Sequence, residues 1–211
     1  MASTRFQKLF ESVRDKYETG VDPSHDFAHI ERVLSSCRKL GATVEANFET
    51  LLPAALLHDI VNVPKNHPDR KVASQRAAEH ARVLLKDFGY NDDECAVIGQ
   101  VILEHSFSRG LAPSSLESAV LQDADRLDAI GAIGVLRVAT CGTKMGSAYY
   151  NLAEPIAKKR TLDDRSFMLD HFEVKLFKLA DGMNTEAGKI EGRRRADFMR
   201  VFVDQLLSEL P

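Results

Sequence analysis

The chain has 211 residues, 44% of them hydrophobic and 28% charged, with a net charge of −3. That length suits one domain with a core able to stand without disulfides, and the acidic balance excludes a general nucleic-acid coat, which needs a basic surplus. No apolar run approaches the roughly 20 residues of a membrane span. The charged N-terminal stretch has no signal-peptide core, and Cys37, Cys95 and Cys141 form no CxxC pair. These features read as reduced thiols in a cytoplasmic protein with no membrane partner and no stable nucleic-acid partner.

Phe6, Leu9, Phe10, Val13 and Tyr17 recur at helical spacing, and Gly20 follows as a stop. Phe27, Ile30, Val33, Leu34, Cys37 and Leu40 mark the buried stripe of a second helix ending near Gly41, with Ser24 or Asp22 as its cap. His25 and His29 are four apart and share a face if both are helical. A third helix spans about Glu45 to Asp59 on Phe48, Leu51, Leu52, Ala55 and Leu56. Pro53 inside it suggests a helix start near Leu52, with a turn before it.

The loop from Val61 to Lys71 holds two prolines and the basic residues Lys65, His67, Arg70 and Lys71. A fourth helix follows to Phe88, with Gly89 as its stop. A fifth starts near Asp92 and runs to Glu104 and His105, breaking at Gly110 and Pro113. Asp123, Asp125 and Asp128 then lie in an apolar run with Leu121, Leu127, Ile130 and Ile133. From Leu136 to Tyr150 there is a helix or two, interrupted by Gly142 and Gly146 and carrying Lys144. A loop with Lys158, Lys159 and Arg160 comes next, and two closing helices include a solvated Arg193-Arg194-Arg195 run. No strand alternation and no internal repeat is evident, so the predicted fold is all-α.

Polar chemistry is concentrated at three points. His58-Asp59 ends an apolar helix, where a bare polar pair is costly unless compensated. His29 lies beside an apolar stripe, and Asp125 and Asp128 would repel one another without a cation or Arg126 between them. Two imidazoles and two carboxylates, from His29, His58, Asp59 and Asp125, suit one divalent ion such as Mn²⁺, Fe²⁺, Ni²⁺, Co²⁺ or Zn²⁺ better than Ca²⁺, and the sequence leaves the choice among these and Mg²⁺ open. A cationic loop directly after such a pair suits a phosphate-bearing substrate.

The order H…HD…D, with HDxxHxxRV, KNHPxR, HSFS and QDADRLDAIGAIG around it, resembles the HD-domain superfamily of metal-dependent phosphohydrolases. Within it, the pieces look like the small stand-alone bacterial YpgQ/YedJ-like group. The resemblance spans roughly Asp22 to Leu179. It implies one HD helical bundle over 1–211, with its core at about 22–180 and the terminal helices packed on it. It also implies one metal held by His29, His58, Asp59 and Asp125, and hydrolysis of phosphate esters or anhydrides. The leading expectation is cleavage of a nucleoside triphosphate to a monophosphate and pyrophosphate, by attack of metal-bound hydroxide on phosphorus.

Lys65, His67, Arg70 and Lys144 are the expected contacts to the phosphorylated small molecule, a nucleotide. His25, Asp59, His105 and Asp128 are the expected assisting groups. One departure is informative: Asn62 stands where some family nucleotidases have a glutamate that orients the attacking water, and an amide cannot act as a base. The alternatives are a nucleoside 5′-monophosphatase or phosphodiesterase and, from another class, a non-catalytic nucleotide- or metal-binding sensor.

Overall fold

A computed structural model describes residues 3–17, 26–61 and 72–211. The chain divides into two compact units, 1–125 and 126–211. The structure is all-α: among the described residues the only β pairing is an isolated parallel bridge between Ala148 and Phe167.

The first unit is built around one short helix. Helix α1 covers Thr4–Tyr17, α2 Phe27–Thr43, α3 Phe48–Leu57, α4 Ala73–Lys86 and α5 Asp92–Glu104. Every residue from Leu51 to Leu57 on α3 is buried. A helix apolar on all sides must be enclosed on all sides, and α3 packs against α1, α2, α4 and α5. Its C-terminal end therefore delivers His58 into the interior of the unit.

Two of the expected details are corrected. Helix α3 begins at Phe48, where Asn47 caps it by accepting from the Glu49 N–H, and runs straight through Pro53. Proline cannot donate to the Glu49 carbonyl, but that lost bond lies near the first turn, and enclosure of the helix outweighs it. Helix α2 is capped by neither Ser24 nor Asp22 but by Asp26, whose Oδ1 accepts from the His29 N–H at 3.0 Å. The cap thus grips the residue that carries site chemistry.

Helices α4 and α5 pack together across the short turn Asp87–Asn91, with Gly89 at φ 81°. Asn91 and Glu94 form a reciprocal capping box that starts α5. Glu94 also receives a two-pronged bond from Arg5, at 2.7 and 3.0 Å. Arg5 reaches Glu49 as well, at 3.1 Å, and lies 4.1 Å over the Tyr90 ring. One arginine of α1 therefore ties together the first turns of α3 and α5, the ends remote from His58 and His105.

Helix α6, Leu116–Asp128, carries the chain from the first unit into the second. In the second unit, α7 covers Gly131–Met145 and α8 Phe177–Asp181, and α9, Glu186–Ser208, packs against both. A π-helical turn, Phe172–Leu176, leads into α8. Gly142 was expected to interrupt α7 and does not: it is buried, and a Cβ there would meet Met168 at 2.5 Å. The interruption comes at Gly146, whose φ of 73° closes the helix. Between α7 and the π turn, Asp170 accepts two bonds from Arg160, at 2.5 and 2.7 Å, and one from the Asp163 N–H at 2.7 Å. His171 pairs with Asp164 at 2.9 Å. Asp163, Asp164, Asp170 and His171 thus lock an irregular segment.

Candidate functional site

Four helices of the first unit each place one end or one face at a common point. Asp26 sets the start of α2, and His29 is its third residue, 1% exposed. His58 is the residue at which α3 ends, also 1% exposed, and Asp59 follows it. His105 is the residue at which α5 ends, 6% exposed. Asp125 comes from α6.

Their donor atoms face one another. His29 Nε2 lies 3.2 Å from His58 Nε2. Asp59 Oδ2 lies 3.9 Å from both of these nitrogens. Asp125 Oδ1 is 3.8 Å from His29 Nε2 and 3.9 Å from His58 Nε2. The other oxygen of Asp59, Oδ1, is 3.8 Å from His105 Nε2. The ligand atoms of His29, His58 and Asp125, and separately those of His58, Asp59 and His105, all lie within 4.8 Å of one another.

The ring orientations are set by the backbone. His58 Nδ1 is 2.8 Å from the Ala55 carbonyl oxygen, and His105 Nδ1 is 2.6 Å from the Ile102 carbonyl oxygen. A carbonyl only accepts, so Nδ1 carries a proton in each ring, and in the neutral ring Nε2 presents its lone pair. The helix C-termini at His58 and His105 also bring partial negative charge to the same place. With His58 Nε2 bare, a second Nε2 at 3.2 Å requires a proton or a cation between the rings. A divalent ion about 2.1 Å from each nitrogen would set neighbouring donors roughly 3.0–3.4 Å apart. The imidazole pair is at that spacing, and the two carboxylates need only close by about 0.5 Å. The donor set therefore fits a divalent cation.

The electrostatics agree. Burial would raise the Asp125 carboxyl, but His58, His29 and His105 facing it outweigh that and hold it below the ordinary carboxylate value. Burial pushes the His105 imidazole down, and His58 pushes it further. The Cys37 thiol is pushed up by burial and then by Asp125, so it stays protonated beside the site.

The structure thus brings together His29, His58, Asp59, His105 and Asp125. Asp128 and Lys144 belong to the second unit. There Asp128 is buried and receives Arg137 Nη1 at 2.9 Å, and Lys144 is exposed near the end of α7. His25, Asn62, Lys65, His67 and Arg70 lie outside the described residues. Sequence reasoning passed over Glu104 and Gln122, buried polar residues next to His105 and three before Asp125. Their signal was a carboxylate and an amide standing in otherwise apolar runs.

Residues 26–130 match the HD domain family. Bacillus subtilis YpgQ is 32% identical over 197 residues, which covers 92% of this chain and 88% of that protein. The chain belongs to the HD-domain superfamily of metal-dependent phosphohydrolases. Solved HD structures agree over nearly the whole length. A crystal structure of B. subtilis YpgQ in complex with ADP has a TM-score of 0.75 at 28% identity, covering 99% of this chain and 98% of that one. An HD-superfamily hydrolase from Bacillus thuringiensis has a TM-score of 0.75 at 28% identity, covering 97% and 96%. No helix among the described residues is long and apolar enough to cross a membrane.

Proposed function

We propose that this HD domain hydrolyses nucleoside triphosphates to the monophosphate and pyrophosphate, with one divalent cation held by His29, His58, Asp59 and Asp125. The observation that carries this reading is the convergence of the His29, His58, Asp59 and Asp125 donor atoms at 3.2–3.9 Å. When bound there, a divalent cation acidifies water and polarises a phosphoryl oxygen. The nucleotide substrate is supported by the ADP held in the crystal structure of B. subtilis YpgQ.

The protein's own groups then divide the work. His105 Nε2 has no proton, sits 3.8 Å from Asp59 Oδ1, and belongs to a ring kept neutral by burial. It is placed to take the proton of the attacking water, the role left open by Asn62. Asp59 spans the two histidine groups, one oxygen toward His29 and His58 and the other toward His105. Lys65, His67 and Arg70, which follow Asp59 closely in sequence, are assigned to phosphate oxygens by charge.

The test is an assay of purified protein with Mn²⁺, Co²⁺ or Ni²⁺ over nucleoside tri-, di- and monophosphates. Pyrophosphate release from triphosphates, lost in Asp59→Ala, is the expected result. Orthophosphate release from monophosphates would replace the reading with a 5′-monophosphatase. Tight nucleotide binding without turnover would replace it with a sensor.

A further inference from the structure

Glu104 is 4% exposed, and a buried carboxylate is costly unless its lone pairs are filled. Among the described residues the donors that reach it are neutral. Oε1 accepts from Gln100 Nε2 at 2.7 Å. Oε2 accepts from Ser118 Oγ at 2.5 Å, and from the Ser114 N–H and Ser114 Oγ at 3.0 Å each. The backbone carbonyl of the same residue accepts from Gln122 Nε2 at 2.8 Å, and Gln122 also donates to the Leu111 carbonyl at 3.0 Å.

The spacing gives this knot its meaning. Ser118, Gln122 and Asp125 fall at i, i+4 and i+7 on α6, one face of that helix. Glu104 is the last residue of α5, and His105 follows it directly. The same hydrogen bonds that satisfy Glu104 therefore join the end of α5 to the face of α6 that carries Asp125. A salt bridge to a surface cation could have neutralised Glu104 without joining these two helices. The Ser118 hydroxyl on the carboxylate and the Gln122 amide on the backbone carbonyl come from α6 and make that join.

We propose that Glu104 is a positioning residue of the metal centre, acting through His105 and Asp125 by fixing the end of α5 to α6. This rests on the metal reading given above. Groups that hydrogen-bond metal ligands directly change metal affinity by roughly 10–100-fold when altered, and Glu104, one step further out, is set at the low end of that range. A residue that serves stability alone lowers the unfolding temperature and leaves the affinity of the folded protein unchanged.

The experiment compares wild type, Glu104→Gln and Ser118→Ala by calorimetric titration with Mn²⁺, by the electron paramagnetic resonance of bound Mn²⁺, and by metal-free thermal unfolding. Glu104→Gln puts an amide group where the serine donors converge. It is expected to weaken Mn²⁺ binding by about 10-fold and alter the spectrum. Ser118→Ala removes one donor, keeps the carboxylate, and is expected to weaken binding by about threefold. It carries the test if Glu104→Gln does not fold. Folded variants with wild-type affinity and spectrum, but lower unfolding temperatures, would overturn the positioning role and leave the metal reading intact. Wild-type protein that binds no Mn²⁺ would overturn both.

Discussion

The rings of His58 and His105 meet edge to face, with centroids 4.9 Å apart and planes at 82°, and each donates its Nδ1 proton to the carbonyl three residues before it. Each is also the residue at which a helix ends. One backbone device is thus used twice to turn a bare Nε2 toward the same point. Both rings are expected to hold the Nδ1-protonated tautomer in metal-free protein at neutral pH. Long-range ¹⁵N correlation spectra of the histidine rings measure this directly, and a protonated Nε2 on either ring would contradict it.

The His105 pKa lies below the ordinary 6.5, first because of burial and then because of His58. Folding favours the neutral ring. Its contribution is complete above pH 6.5 and is lost as the pH falls from there through the lowered folded pKa. Asp125 is held low in the same direction, but its loss begins near 3.8, well below that of His105. Metal-free protein should therefore lose thermal stability as the pH drops below about 6.5. His105→Gln should flatten that part of the profile, as followed by circular dichroism in EDTA.

A bound cation stabilises only the folded arrangement. Mn²⁺ at about 100 times its Kd should raise the unfolding free energy by about 2.7 kcal/mol. Scanning calorimetry with Mn²⁺ and with EDTA reads the difference. In His58→Ala or Asp125→Ala the shift should vanish, because His29 would be left without its 3.2 Å partner or its nearer carboxylate.

Asp26 links a local cap to the site. Asp26→Ala removes the side-chain acceptor of the His29 N–H, leaving only the Asp26 carbonyl, and should cost about 1 kcal/mol, measured by urea unfolding. Because His29 lies in the frayed turn, Mn²⁺ affinity should fall as well. Asp26→Ser, which also caps helices well, should restore both.

Gly134 predicts a purely structural loss. A Cβ there would stand 2.5 Å from the Ala129 carbonyl oxygen, which belongs to the backbone and cannot swing aside. Gly134→Ala should destabilise the protein by about 1–3 kcal/mol in urea unfolding. Mn²⁺ affinity should be unchanged in the folded variant.

What could be read from the residues and what could not divide along physical lines. Apolar periodicity located α2, α4 and α5 because each buries one stripe. The ordered histidines and aspartates were legible because polar groups in apolar sequence demand a partner. Asp26 was missed because Asp22, Ser24 and Asp26 are equally good caps by type, and only the register of the first turn selects among them. Pro53 misled because its penalty is local, whereas the enclosure of α3 by four helices is a tertiary fact. Gly142 misled for a similar reason: a glycine that breaks a helix and one that makes room for Met168 look alike in sequence. The partner of Asp128 was not legible either, because Arg137 stands nine residues further on and only the folded chain brings the two to 2.9 Å.

The donors of the proposed metal centre come from α2, the end of α3 and α6, spread from residue 29 to residue 125. No stretch of local chain contains enough of them to capture a cation. The centre therefore forms only after those helices have docked, which places it late on the folding route, where interactions affect unfolding more than folding. Bound metal should act as a brake on opening, with the refolding rate nearly independent of Mn²⁺ and the unfolding rate falling as Mn²⁺ rises. The molecule would then be long-lived when loaded and open quickly to proteases when starved of metal.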